Sequence, residues 1–192
     1  MAGMTTRKSK AASDPARMVV CTGGHSSPWF LKSAKAFGHD VKFIIGPAMI
    51  RELERLRDVG FTHALYTHSD DVIICATKGR ILSAYQKRGC PPVLFSFFDG
   101  NPNADQWMGR IDALITMWSA VNARYEGTAQ ERMIQAWADK VNISLDGDGS
   151  IFRQDAATYA YKTWASCLLH FNTGVEKMED ICAAVLGGAG VA

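Results

Sequence analysis

Two short segments carry the side chains best suited to chemistry. One is His68-Ser69-Asp70-Asp71, a polar run set between the apolar stretches 63–67 (HALYT) and 72–75 (VIIC). The other is His170-Phe171-Asn172-Thr173-Gly174, which closes the apolar stretch 167–170 (CLLH). Carboxylates and imidazoles at a strand end are ligands for a divalent cation, and such a cation can share its oxygen ligands with a diphosphate. Taken alone, the first run reads equally well as a polar turn, and a lone His170 as a structural histidine. Other polar groups also follow apolar runs: Thr22-Gly23-Gly24-His25, Gly46, residues 96–99, and Asp146-Gly147-Asp148. In an open α/β sheet, ligands bind outside the carboxyl ends of the strands. The value of each group therefore rests on whether the fold brings them together.

The elements that must do so alternate along the chain. Residues 18–22 (MVVCT) read as a buried strand closed by Gly23-Gly24. Ser26-Ser27-Pro28 opens a helix to about Phe37, with a Ser cap and Pro in the first turn. Residues 41–45 are a second strand, 48–59 an amphipathic helix with Ile50, Leu53 and Leu56 on one face, and 63–67 a third strand. Thr77 caps a helix over 78–87, and 93–96 (VLFS) is a fourth strand. Residues 97–103 read as a loop from their Gly, Pro and Asn content. Ile111, Leu114, Ile115 and Trp118 recur at helical spacing, yet 113–117 (ALITM) also suits a strand. Residues 128–140 are a helix with Met133, Ile134 and Trp137 inward, 141–146 a strand, 167–170 a last short strand and 176–186 a helix. Strands and helices at this spacing predict a mostly parallel sheet with right-handed crossovers.

The length of 192 residues predicts one domain over 18–186, flanked by an arm at 1–17 and a Gly-rich tail at 187–192. The arm carries Arg7, Lys8, Lys10 and Arg17 against Asp14, and reads as a flexible basic tail or as an arm that touches nucleic acid or another anionic surface. No apolar run follows its basic residues and no stretch is apolar over about 20 residues, so the expectation is a cytoplasmic protein without a membrane span. The five cysteines form no CxxC pair. Four of them, Cys21, Cys75, Cys167 and Cys182, lie in apolar or small-residue surroundings that suit reduced, packed thiols.

Several segments, in order, resemble the glycosyltransferase domain of the procollagen lysyl hydroxylases and related collagen-type galactosyl- and glucosyltransferases. VVCTGGHSSPWFLKSAKAFGHDVKFIIG resembles the family's opening strand and helix, and ALYTHSDDVIIC its D-x-x-D metal segment. PPVLFSFFD resembles its "VVFSAEE" strand, WADKVNISLDGDGSIFRQ its "INITLDxxxxIFQ" segment, and LLHFNTGVEK its closing "IHGNGxxK" motif. The resemblance spans about residues 18–180. It implies an α/β fold, GT-A-like and Rossmann-like, with a mostly parallel sheet flanked by helices.

By position, Asp71 matches the second metal aspartate, His68 stands where the family has the first, and His170 matches the histidine that completes the metal shell. Thr22 and Gly23 at the first strand end, Ser69 and Asp70 in the metal segment, and Asn172 and Gly174 in the closing turn would surround the donor. Asp99 would serve as the carboxylate beside sugar and acceptor, with Glu126 and Asp146 behind it. The family's Gly-rich, Lys-containing segment is shortened here, and Arg51 or Arg55 would meet phosphate instead or else stand as solvated helix charges. The acidic stretch near the acceptor retains only Glu126. The implied activity is Mn²⁺- or Mg²⁺-dependent transfer of a hexose from UDP-glucose or UDP-galactose to a hydroxyl. The acceptor would be a hydroxylated protein side chain or, in a compact viral form, a hydroxymethylated DNA base. In the DNA case the basic arm would contact phosphates, and Trp107 and Trp118 would stack on the base or else pack in the core. The competing expectation is a catalytically silent module of this fold within a viral assembly.

Overall fold

The computed structural model describes residues 16–24, 26–44, 48–154, 166–171 and 175–188. The central sheet has six strands in the order β2-β1-β3-β6-β5-β7. They are β1 (Met18–Thr22), β2 (Val41–Phe43), β3 (His63–Thr67), β5 (Val93–Phe98), β6 (Asn101–Arg110) and β7 (Ser144–Asp146). Pairing is parallel except at β6, which runs antiparallel to both β3 and β5. The expected mostly parallel sheet flanked by helices is thus the architecture found. A second sheet, ordered β4-β9-β8, joins β4 (Val72–Ile74), β9 (Leu168–His170) and β8 (Phe152–Arg153).

Alternation along each strand divides the core into layers. Val19, Cys21, Ala64, Phe95 and Trp107 face one side. There they meet Leu53 of α2 (Met49–Asp58), Trp118 of α4 (Ile111–Arg124) and Met133 of α5 (Ala129–Ala138). Met18, Val20, Leu65, Leu94 and Met108 face the other. They pack on Phe30 of α1 (Pro28–Ala36), on Ile81 and Tyr85 of α3 (Lys78–Lys87), and on the small sheet. The far face of the small sheet, through Ile73 and Leu169, meets Cys182 and Val185 of α6 (Met178–Gly188). Each fully buried aliphatic side chain contributes about 1.5–3 kcal/mol.

Local signals start several helices. The Ser27 side chain accepts from Phe30 N at 3.1 Å, with Pro28 in the first turn. Thr77 does the same for Arg80 N at 3.4 Å, and Thr128 with Glu131 forms a capping box on α5.

The 97–103 region departs from the expected loop. β5 continues through Phe98, and Asp99-Gly100, with φ of 48° and 79°, turns the chain into β6. Two consecutive residues at positive φ match the twist of a tight hairpin, and Asp-Gly supplies them at low cost. Residues 113–117 are helical within α4, where a continuous buried stripe of Leu114, Met117, Trp118 and Val121 decides the matter. On α5, Met133 is buried, but Ile134 and Trp137 are each 36% exposed rather than inward. Trp107 and Trp118 are 0% and 1% exposed, so core packing, not base stacking, is their place in the fold. Residues 1–15 of the basic arm lie outside the described residues; Arg17 donates its backbone N–H to Thr62 Oγ1 and lies over the Phe61 ring.

Candidate metal centre at the strand ends

Thr67 ends β3, and His68 N still donates to Asp105 O of β6 at 3.1 Å. The chain then turns. Ser27 N donates to Ser69 O at 2.9 Å, and Ser69 Oγ to Ser26 Oγ at 2.9 Å, which ties the turn to the start of α1. Asp71 leads into β4, whose Val72 stands opposite His170 of β9. Phe171 N donates to Asp71 O at 2.9 Å, locking the two strand ends together. The pairing of β4 with β9 therefore carries His170 across 99 residues of chain to Asp71.

The three side chains meet. His68 Nε2 is 2.6 Å from Asp71 Oδ1, His170 Nε2 is 3.2 Å from Asp71 Oδ2, and the two Nε2 atoms are 3.0 Å apart. Two ligands about 2.1 Å from one ion, at a right angle, lie about 3 Å apart. Among the described residues this is the one group of His, Cys, Asp or Glu whose ligand atoms converge, all within 4.8 Å. Asp71 Oδ1 is close to His68 Nε2 but poorly aligned, so it is a buried oxygen with no hydrogen bond from a described residue; His68 Nδ1 is likewise unsatisfied. A buried carboxylate oxygen in that state suits a cation, and two imidazoles with one carboxylate are a competent donor set.

Electrostatics follow from this packing. Burial alone would raise the Asp71 carboxyl, but its polar contacts and charge interactions with His170 and then His68 hold it well below the usual carboxylate range. Burial pulls His68 down, yet the Asp71 contact and charge, with Asp105 and Asp70 adding, leave it above the ordinary imidazole value. Asp71 is thus ionised across the neutral range.

The remaining candidates are scattered. Thr22 is fully buried, with its backbone O accepting from Ile44 N at 2.7 Å and Oγ1 without a partner among the described residues. Gly23 must be glycine, because a Cβ there would stand 2.7 Å from Ile44 O and 2.8 Å from the Tyr66 hydroxyl. Ser69 is buried and holds the turn, while Asp70 is exposed. Asn172 and Gly174 lie outside the described residues. Asp99 is an exposed hairpin-turn residue, three residues beyond Ser96 or about 10 Å along the strand. Glu126 is exposed in the link between α4 and α5. The Asp146 side chain is 0% exposed. It accepts from Ile151 N at 2.9 Å and Phe152 N at 2.7 Å, and pairs with Arg88 at 2.6 Å. Arg55 is ion-paired with Glu52 at 3.0 Å, and Arg51 is exposed.

Sequence reasoning passed over Asp105. It lies beside His68 and Tyr66, close enough for its charge to raise both, and lines a cleft of about 520 Å³ with Tyr66, Asn122, Thr128 and Arg132. Reading 97–103 as a loop hid the strand that presents it. Gln106 and Gln154, which reach toward the site from β6 and from the end of β8, carry neutral amides, which give no sequence signal of a role.

No helix among the described residues is long and apolar enough to cross a membrane. No family model matches the chain, and no curated protein matches it. Among solved structures, the chain is similar to the crystal structure of the glycosyltransferase GlyE in Streptococcus pneumoniae TIGR4, at 14% identity and a TM-score of 0.45. The match covers 91% of this chain and 63% of that one, so the chain spans less than two thirds of that structure's length.

Proposed function

We propose that the protein transfers a hexose from a nucleotide sugar, UDP-glucose or UDP-galactose, to a hydroxyl acceptor, using a divalent cation, Mn²⁺ or Mg²⁺. The observation that carries the reading is the meeting of His68, Asp71 and His170 beyond the carboxyl end of β3 in a mostly parallel sheet. These are the positions that resemble the metal ligands of the collagen-type glycosyltransferases. A cation held there would neutralise charge on the departing diphosphate. Thr22 ends β1 and Gly23 follows it against Ile44 O and the Tyr66 hydroxyl; by the resemblance these two positions would meet the base of the donor. By the resemblance, Asp70 would lie beside the donor, as would Asn172 and Gly174, which are outside the described residues. Asp105 stands beside His68 on the cleft wall and is better placed than Asp99, Glu126 or Asp146 to accept the acceptor's proton.

The acceptor is a hydroxylated protein side chain or a hydroxymethylated DNA base. The burial of Trp107 and Trp118 removes the two aromatic platforms that favoured the base. A second reading, a silent module of a viral assembly, is favoured by His68 standing where the family motif has an aspartate.

Thermal shift with UDP and Mn²⁺ separates the two. Catalytic use of the site requires a shift that needs both ligands together, and incubation with UDP-glucose plus a hydroxylysine peptide or hydroxymethylated DNA should add one hexose by mass spectrometry. No shift with any of Mn²⁺, Mg²⁺, Fe²⁺ or Zn²⁺ would remove the cation and the transferase with it. A response to Fe²⁺ alone would redirect the site to different chemistry, since two histidines and a carboxylate also suit iron.

A further inference from the structure

Gln154, at the end of β8, reaches across to the site. Its Nε2 donates to Ser96 Oγ at 2.9 Å and to Gln106 Oε1 at 2.5 Å, and its Oε1 lies 2.5 Å from His170 Nδ1. Gln106 is fully buried and donates from Nε2 to Thr67 Oγ1 at 3.2 Å. Thr67 Oγ1 in turn donates to the backbone carbonyl of His68 at 2.9 Å.

The direction of this chain is fixed by its far end. A carbonyl can only accept, so the Thr67 hydroxyl must give its proton to His68 O. The hydroxyl can then only accept from Gln106, so the Gln106 amide nitrogen faces it and the Gln106 oxygen faces Gln154. Gln154 must therefore present nitrogen to Gln106 and oxygen to His170. An oxygen at 2.5 Å from Nδ1 requires the proton on Nδ1. With Nδ1 held by Gln154, Nε2 is the ring nitrogen that faces Asp71 Oδ2 and His68 Nε2.

We propose that Gln154 is a positioning residue: it fixes His170 as the Nδ1–H tautomer and so presents Nε2 to a divalent cation held with His68 and Asp71. The inference rests on the cation site proposed above. Hydrogen bonds of this kind behind a metal-ligating histidine set ring orientation, and their loss costs about 10–100-fold in metal affinity.

The test compares Gln154→Leu with Gln154→Glu, which keeps an acceptor oxygen. Two-bond ¹H–¹⁵N spectra of the apo protein read which ring nitrogen of His170 is protonated, and titration followed by electron paramagnetic resonance reads Mn²⁺ affinity. Wild type is expected to show the Nδ1–H pattern. Gln154→Leu should lose that pattern and bind Mn²⁺ about 10–100-fold more weakly, while Gln154→Glu keeps both. Should the leucine variant not fold, Gln106→Leu breaks the same chain one link away and should also release the tautomer. A His170 ring without a proton on Nδ1 in wild type overturns the proposal, as does a folded Gln154→Leu with unchanged Mn²⁺ affinity. If wild type shows Nδ1–H but binds no cation, the cation site falls while the tautomer comparison still decides what Gln154 does.

Discussion

At the scale of single residues, Asp71 is the one group that both histidines touch. Replacing it with alanine should leave the fold standing, because its side chain is partly exposed and its backbone O, not its carboxylate, holds Phe171. The expected loss is in ligand response. Wild type at about 100 times the dissociation constant should gain about 2.7 kcal/mol from UDP with Mn²⁺, and Asp71→Ala should gain nothing in the same thermal-shift assay. His39 makes a different prediction. Burial holds its imidazole below the ordinary value of 6.5, although Nε2–H donation to Ala76 O at 2.6 Å opposes that. As pH falls below 6.5 the unfolded chain takes up the proton before the folded one, so stability drops with acid. The stability from a neutral His39 is present above 6.5 and lost on the way down. Urea midpoints at pH 7.5 and 5.5 should therefore differ less in His39→Gln than in wild type. His63 shifts in the same direction and His68 in the opposite one, so the difference between the two proteins is the quantity to read.

At the scale of elements, the turn after β7 is built on Asp146, whose carboxylate gathers two backbone N–H groups and the Arg88 guanidinium. Removing it leaves two buried backbone N–H groups without their acceptor, while Arg88 keeps Asp148 and Ser150. Asp146→Ala should cost about 1–3 kcal/mol for each orphaned N–H in chemical denaturation while leaving Mn²⁺ affinity of the folded fraction unchanged; a selective loss of transfer rate in a fully stable variant would restore it as a catalytic candidate. The α5 start is a smaller case. Thr128→Ala removes the side-chain half of the capping box, the acceptor for Glu131 N, while the backbone N–H of residue 128 still donates to the Glu131 carboxylate; it should cost about 1 kcal/mol, read as a lower melting temperature. Gly109 lies where β6 passes within 2.5 Å, measured from a built Cβ, of Pro92 O, so Gly109→Ala must push β5 and β6 apart. That displacement reaches the strand that carries Gln106 and Asp105.

At the scale of the whole molecule, the fold keeps four of its five thiols inside without linking them. All five cysteines are free, and Cys90 alone is exposed. A thiol reagent should titrate one cysteine in the native protein and five after denaturation, with a melting temperature indifferent to reductant. Trp118 lies near the centre of the layer between the main sheet and α2, α4 and α5, against Phe95 and Trp107. Fluorescence from these two tryptophans should be blue-shifted and unaffected by added nucleic acid, the outcome their burial dictates.

The parts of the molecule that local chemistry controls are legible along the chain. Periodicity marked β1 and β3 to their ends, and Ser27, Pro28, Thr77 and Thr128 marked where helices begin. Residue types at 68–71 and 170 marked an interesting pair of strand ends, because carboxylates and imidazoles are legible as ligands wherever they stand. That they meet is settled in three dimensions, since it depends on β4 pairing with β9 across a sequence separation of 99 residues, a choice made by packing against α1 and α6. The fold alone reversed one strand, because the Asp99-Gly100 hairpin signal lay within a stretch whose Gly, Pro and Asn content also describes a loop. And it alone assigned Asp146 to a buried turn and Gln154 to the back of His170, because a side chain's role is set by which partners stand within about 3 Å, and no linear pattern carries that distance.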